Sequence, residues 1–452
     1  MGSFWVEHAW LPSGLARGGV RFVVGDGRFV SIETRTPCRP EDERLPGVAY
    51  PGFANAHSHI FQRSLRGRTH SVAGHGPAWW ARMYAAADRM TPDLYLDLAR
   101  ATFLEMVLAG FTLVGEYHYL HHAPGGRPYA DPNAMGHAVI QAAQEVGIRL
   151  TLLDTYYRHG GLTSDGHVPL NQVQERFVDG SVNAWLQRME RIEQNEMLRR
   201  GAAIHSIKTV PREDAALIAQ VATEQPLHVY VSEQHAENLA CQMYYGRTPT
   251  ELLAEIGALG PELTAVHAAH LSENDIALLG DTECQVVVCP TSERDMAEPL
   301  GPIRKLLDAG VPVGIGSDSQ TSIDPFVELR EIEYHERVDS GERGRLTNTE
   351  LVNCGTVAGY QSLGWYGGGM IAPGRLADFV TIDSSSARTV GSKSGELLYS
   401  ATASDIGTVV VGGRVIVRDG HHALGHPGQL MRRALLAFRG QPLQSSGLRT
   451  PH

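Results

Sequence analysis

The sequence predicts an α/β protein: a (β/α)8 TIM-like barrel over residues 53–369, joined to a small β-sandwich domain made from both chain ends, residues 1–52 and 370–452. Three observations lead there. Short apolar, β-branched runs recur between helical patterns. The interval that holds them is long enough for eight strand–helix units. Both ends read as strands and turns, with too few residues for a separate core each.

In chain order, Val20–Val24 and Phe29–Glu33 flank Gly25-Asp26-Gly27, a hairpin pattern. Val48–Phe53 is the first barrel run, followed by Phe111–Val114, Leu150–Leu153, Ala202–Ile207, Leu227–Val231, Leu263–Ala268, Gln285–Val288 and Val311–Ile315. Helical patterns lie between them. One starts at Thr91-Pro92, where the threonine caps and the proline gives up only an N–H that would be unpaired in a first turn, and Gly110 ends it. Ala377–Ile382 and Thr408–Asp419, the latter turning at Gly412-Gly413, are again strand-like, and Ser384–Gly395 reads as a loop. The terminal strands bury their apolar faces most simply by pairing with each other.

The chain has 452 residues, 42% hydrophobic and 20% charged, which suits a folded globular protein. Lys and Arg number 39 against 50 Asp and Glu, a net charge of -11 without a basic run, so nucleic acid is not an expected partner. No stretch reaches the roughly 18 apolar residues of a membrane helix, and the first ten residues lack a signal-peptide pattern. The expected location is cytoplasmic, the expected partner a small-molecule substrate, and a homodimer is the base expectation for assembly. Cys38, Cys241, Cys284, Cys289 and Cys354 are scattered without a C-x-x-C, which points to buried small side chains and not to disulfides or a thiolate metal site. The 21 histidines stand out.

His57-Ser58-His59 lies at the end of the first barrel strand. Histidines two apart on extended chain face the same side and can reach one metal ion. About one such tripeptide is expected by chance at this histidine frequency, so position must decide. Catalytic groups of these barrels gather at the C-terminal ends of the strands. There the sequence places Glu116-Tyr117-His118-Tyr119, His205-Ser206-Ile207-Lys208, Ser232-Glu233-Gln234, His267 with His270, and Ser317-Asp318-Ser319. Taken singly, Asp318 could cap a helix, Glu233 could be a salt-bridged loop residue, and His118, His121 and His122 could orient a loop. His270 reads as structural.

Together these stretches resemble the amidohydrolase superfamily, over nearly the whole chain. The superfamily pattern is carried by His57-Ser58-His59, Val266-His267-Ala268-Ala269-His270-Leu271, Gly316-Ser317-Asp318-Ser319 and Pro373-Gly374-Arg375-Leu376-Ala377-Asp378. Within it, His57 to Arg63, Glu116 to His122, His205-Ser206 and Ser232-Glu233-Gln234 are most similar to the formimidoylglutamate deiminases. The resemblance implies one divalent metal ion, with zinc as the expected species, held by His57, His59, a strand-five histidine and Asp318. It further implies that Asp318 takes the proton of the attacking water, His267 polarises the oxygen, and Glu233 shuttles a proton to the leaving nitrogen. Gln62, Tyr119, His205 and Lys208 would face the substrate.

Two positions depart from that pattern. The third histidine ligand falls at Tyr230, a phenol and a poorer ligand. His228 points to the same side but about 7 Å deeper. Three protein ligands, ligation by Tyr230 and weakened metal binding all stay open. The family's carboxylate-binding arginine falls at Lys208, which keeps the charge but loses the planar fork, and a second arginine falls at Trp80 unless Arg82 takes its place. The expected function is therefore a metal-dependent C–N hydrolase resembling a formimidoylglutamate deiminase with an altered substrate. The alternatives are an amidohydrolase acting on an amide or amidine of a more apolar or aromatic molecule, and a metal-poor binding protein without catalysis.

Overall fold

Gly52 marks the passage from one sheet to the other. In the computed structural model, which describes residues 2–70 and 77–440, the chain first forms β1 (Gly2–Leu11), β2 (Gly14–Gly25), β3 (Arg28–Thr34), β4 (Glu43–Arg44) and β5 (Val48–Pro51). β6 (Phe53–Ser58), β7 (Phe111–His118) and β8 (Arg149–Tyr156) then begin the barrel. A short hairpin follows, β9 (Gly161–Thr163) and β10 (Gly166–Val168). The barrel resumes with β11 (Leu198–Ser206), β12 (Leu227–Val231), β13 (Leu263–His267), β14 (Gln285–Val288) and β15 (Val313–Ile315). β16 (Phe379–Ile382), β17 (Ile406–Val411), β18 (Arg414–Arg418) and β19 (His421–His422) return to the first sheet.

The eight barrel strands pair in parallel in chain order, with helices between most of them, as the alternating pattern predicts. β7 and β8 are buried along their whole length, which is why they read as near-continuous apolar runs without alternation. The circuit is joined at its top. The N–H groups of Ser317 and Asp318 donate to the carbonyl of His57 at 3.0 and 2.9 Å, and the His59 N–H donates to the carbonyl of Asp318 at 3.0 Å. Joining first strand to last therefore also brings His57 and His59 beside Asp318.

The run Val48–Phe53 is not one barrel strand. Its first four residues are β5, paired with β1 and β16 in the terminal sheet, and the barrel starts afresh at Phe53. Both pieces are fully buried, so no alternation marks the break. The crossing needs glycine because a Cβ at Gly52 would lie 2.1 Å from Thr112 Oγ1.

Strands from both ends do meet, in one nine-stranded, mostly antiparallel sheet ordered β19-β18-β17-β16-β5-β1-β2-β3 with β4 beside β1. It has its own apolar core, where Phe22, Phe29 and Phe4 pack around Phe379 at ring-centroid distances of 5.3 to 6.0 Å. The hairpin around Asp26-Gly27 and the turn at Gly412-Gly413 fall as expected. β1 carried no clear strand signal, because Glu7 and His8 interrupt its apolar residues at the bulge between Val6 and His8. The helix Pro92–Leu108 has its predicted Thr91 cap, accepting from the Leu94 N–H at 3.3 Å, and Gly110 follows at φ +97°. Cys241, Cys284, Cys289 and Cys354 are buried, but Cys38 is exposed in the loop after β3. Among the described residues no helix is long and apolar enough to cross a membrane.

Candidate active site

A cavity of about 400 Å³ opens at the C-terminal ends of the barrel strands, and Gln62, Tyr119, His205, Lys208, Glu233, His267 and Asp318 all line it. His57 and His59 lie behind Tyr230 and Asp318, fully buried, with ring centroids 4.8 Å apart. Gly316 allows this packing, since a Cβ there would come within 2.7 Å of the His57 Cβ.

The donor atoms converge. His57 Nε2 and His59 Nε2 are 3.5 and 3.4 Å from Asp318 Oδ1. Those separations match the edge, about 3.4 Å, of a tetrahedron with metal–ligand bonds of about 2.1 Å. His57, His267 and Asp318 each place one donor within 4.8 Å of the others, while His59 stands just outside that trio and joins through Asp318. Burial, and after it neighbouring histidines, holds His57 well below its ordinary range and His59 at about 3, so both rings are neutral and have lone pairs. His59 Nδ1 is 3.1 Å from the Tyr117 carbonyl, which fixes Nδ1 as the donor and turns the Nε2 lone pair inward. Two neutral imidazoles and a carboxylate are a fitting donor set for a divalent ion.

Tyr230 occupies the centre of this group. Its hydroxyl is 2.5 Å from His59 Nε2 and 3.1 Å from His57 Nε2, and its ring stacks on His267 at 5.1 Å. Burial raises its pKa well above the ordinary value, so it keeps its single proton and can donate it to one imidazole, with His59 Nε2 the nearer. His228 is remote from this cluster; its Nε2 bonds the Ser362 carbonyl at 2.8 Å deep in the barrel.

On the other side of the cavity Lys208 Nζ lies 3.1 Å from Glu233 Oε2 and 3.9 Å from Glu237 Oε2. Burial alone would push Glu233 upward, but Lys208 and then His267 hold it at about 2, a carboxylate at neutral pH. Burial likewise works against a charged His267, yet its Nδ1 is 3.1 Å from Glu293 Oε1, and with Glu233 and Asp318 nearby its pKa rises to about 9. The backbone is strained at these same strand ends. Ser232, His267, Ala268, Asp318 and Gln320 have φ of +51, +70, +50, +40 and +63°. Left-handed non-glycine residues cost about 1–3 kcal/mol each and persist only where the surroundings fix them.

Residues 48–416 match the family model described as "Amidohydrolase family". The chain belongs to the Amidohydrolase family. A relative 32% identical over 443 residues, spanning 94% of this chain and 96% of that protein, is formimidoylglutamate deiminase of Pseudomonas aeruginosa. Among solved structures, an amidohydrolase from Brucella melitensis superposes with TM-score 0.88 at 29% identity, covering 97% of this chain and all of that one. An adenosine deaminase from Xanthomonas campestris with bound zinc shares the fold at TM-score 0.80 and 20% identity, covering 97% of each chain. The protein is thus an enzyme of the class that hydrolyses carbon–nitrogen bonds other than peptide bonds.

Against the amidohydrolase pattern, some sequence candidates stay outside the cavity. Arg82 is exposed and does not line it, whereas Trp79 and Trp80 do. His270 pairs with Glu298 at 3.2 Å. His121 and His122 belong to a buried network with Asp154, Asp179 and Arg188, and the His118 ring packs against His121. Other residues were missed. Glu293 orients His267 and comes from the segment after β14, a strand end that showed no histidine to draw notice. Its place after a barrel strand was the available signal. Glu237 lies one helical turn beyond Glu233 and accepts the Glu233 N–H at 3.0 Å. Tyr84, Tyr157 and Phe177 add aromatic wall from segments with no motif.

Proposed function

We propose that this amidohydrolase is a metal-dependent deiminase: water adds to the carbon of an amidine and ammonia leaves. The observation that carries the reading is the convergence of Glu233, His267 and Asp318 on one cavity, backed by two neutral imidazoles. His57, His59 and Asp318 would hold the ion, with zinc as the expected species, as in the zinc-bound deaminase of the same fold. Bound there, a divalent ion would acidify water and polarise the scissile C–N group.

The chain's own groups supply the proton transfers. Asp318, at the cavity wall, accepts a proton from the attacking water. His267, held cationic by Glu293, donates to the charge that develops as the C–O bond forms. Glu233, an anion at rest, takes up a proton and delivers it to the departing nitrogen. Gln62, Tyr119 and His205 position the substrate from the same wall.

The test measures bound metal and ammonia release from N-formimidoyl-L-glutamate and a panel of other amidines. Asp318→Asn is expected to lower turnover about a thousandfold while the fold is kept. A folded, metal-loaded wild type that releases ammonia from no amidine would sink the reading. Tyr230 favours a second one, a barrel that binds small molecules without catalysis, because its hydroxyl sits among the proposed ligands. Metal analysis of the wild type beside Tyr230→His separates them: stoichiometric metal with turnover in the wild type removes the binding-only reading.

A further inference from the structure

Behind the proposed ligands runs a line of five fully buried polar side chains: Asn55 and Ser58 on β6, Glu116 on β7, and Ser317 and Gln320 in the turn after β15. None of them lines the cavity. Ser58 stands between His57 and His59, and Ser317 and Gln320 bracket Asp318, so the line grips the same two segments that present the ligands.

Its hydrogen bonds are continuous. Asn55 Nδ2 donates to Ser317 Oγ at 2.7 Å, Ser317 Oγ to Gln320 Oε1 at 2.9 Å, Gln320 Nε2 to Ser58 Oγ at 2.8 Å, and Ser58 Oγ to Glu116 Oε2 at 2.7 Å. Backbone groups fix both ends. The Ser317 N–H donates to Asn55 Oδ1 at 2.9 Å, so the Asn55 amide must turn its NH2 toward the Ser317 hydroxyl. At the other end the Ile60 N–H donates to Glu116 Oε1 at 2.8 Å, joined by Tyr95 Oη at 3.2 Å. Each serine hydroxyl has one hydrogen and both are used inside the line, so the direction of every link is set. Burial lifts the Glu116 carboxyl to about 8, and a proton on Oε1, toward Tyr95 Oη, leaves Oε2 an acceptor all the same.

We propose that this directed chain presets the ligand geometry, with Glu116 and Gln320 as positioning residues that hold Ser58 and the Asp318 turn in register. The inference rests on the reading of His57, His59 and Asp318 as metal ligands. The turn needs holding: Asp318 and Gln320 are left-handed at φ +40 and +63°, a conformation that non-glycine residues keep only where their surroundings fix it. Partners that orient ligands are worth about 10–100-fold in metal affinity.

The test is a swap. In Glu116→Gln the new amide turns its NH2 either to the Ile60 N–H or to Ser58, which already receives the Gln320 NH2, so one buried hydrogen is left without an acceptor in both orientations. Adding Gln320→Glu gives Ser58 an acceptor on that side, still accepts from Ser317, and restores every bond with the Ser58 link reversed. Cobalt(II) affinity, by competition with a chromophoric chelator, and the visible spectrum of the bound ion are read beside the urea midpoint of the metal-free protein. Glu116→Gln is expected to weaken cobalt binding about 10–100-fold and to alter the spectrum, and the double variant to return to within about threefold of wild type. If the single variant does not fold, a folded double variant with that affinity supports the proposal, and one that also fails to fold overturns it. A lower midpoint with unmoved cobalt affinity in Glu116→Gln, or a double variant that binds no tighter than the single, would overturn it as well. A wild type that takes up no cobalt would instead remove the metal reading, and this proposal with it.

Discussion

Two buried clusters in this barrel contain the same charges, one cation between two carboxylates, and differ in how fully they are satisfied. Arg188 sits between Asp154 and Asp179 behind β8. Its Nε and Nη2 donate to Asp179 at 2.8 Å, its two Nη atoms donate to Asp154 at 2.7 Å, and Nη1 also donates to Asn133 at 3.2 Å. Every guanidinium N–H is used. Trp185 and His122 complete the acceptors at 2.9 and 3.1 Å. Lys208 makes one hydrogen bond, to Glu233, and Glu237 Oε1 is buried without a partner. The planar fork of arginine closes a structural network, whereas the point charge of lysine sets the protonation of a carboxylate and leaves one acceptor unsatisfied.

The largest expected effect comes from breaking the satisfied cluster. Arg188→Met leaves two buried carboxylates uncompensated and should cost about 3–5 kcal/mol in a urea unfolding experiment. Turnover per folded molecule should hold, because no member of this cluster lines the cavity. An equal loss of activity in the folded fraction would show that the two clusters are not separate in role.

Lys208→Met acts on the other cluster. Without that cation, burial is opposed chiefly by His267, and the Glu233 pKa climbs from about 2 toward the ordinary carboxylate range. The acid limb of kcat/KM should therefore move to higher pH. A raised KM with an unmoved pH profile would assign Lys208 to substrate anchoring instead.

Acid unfolding gives the smallest and most specific contrast. Arg188 holds Asp154 and Asp179 below their ordinary pKa against the upward push of burial. A depressed carboxyl stabilises the fold above its unfolded value, about 3.9, and that contribution is lost as pH falls through the folded value. Wild-type stability should thus decline below about pH 4. In Arg188→Met the same carboxyls are raised, so acidification from pH 7 to 5 should stabilise that variant, visible as a rising urea midpoint. A midpoint that falls in both proteins would mean that other groups control the acid limb.

Much of the site was legible because barrel strands and polar strand ends follow one another at regular intervals. His57, His59, His267 and Asp318 could be placed at the ends of apolar runs, and the resemblance to amidohydrolases implied their roles. Glu293 and Glu237 could not, since each acts through a neighbour, one orienting His267 and the other reached through Lys208 and the Glu233 backbone. The division of Val48–Phe53 between two sheets was hidden because both halves are buried on every side. The resemblance implied that Lys208 faces the substrate, and only side-chain geometry shows it also within 3.1 and 3.9 Å of two glutamates.

By itself the sequence determined the barrel, the pairing of the chain ends and the residue types gathered at the strand ends, because these follow from hydrophobic period and local turn chemistry. Tertiary structure decided how those groups are used. Joining the last strand to the first put Asp318 beside His57 and His59, and the backbone of His267 and Asp318 is left-handed at the ends of their strands. The protonation of Glu233 and His267 is likewise set by partners distant in sequence, Lys208 and Glu293, whose charges matter only at hydrogen-bonding distance in a buried site.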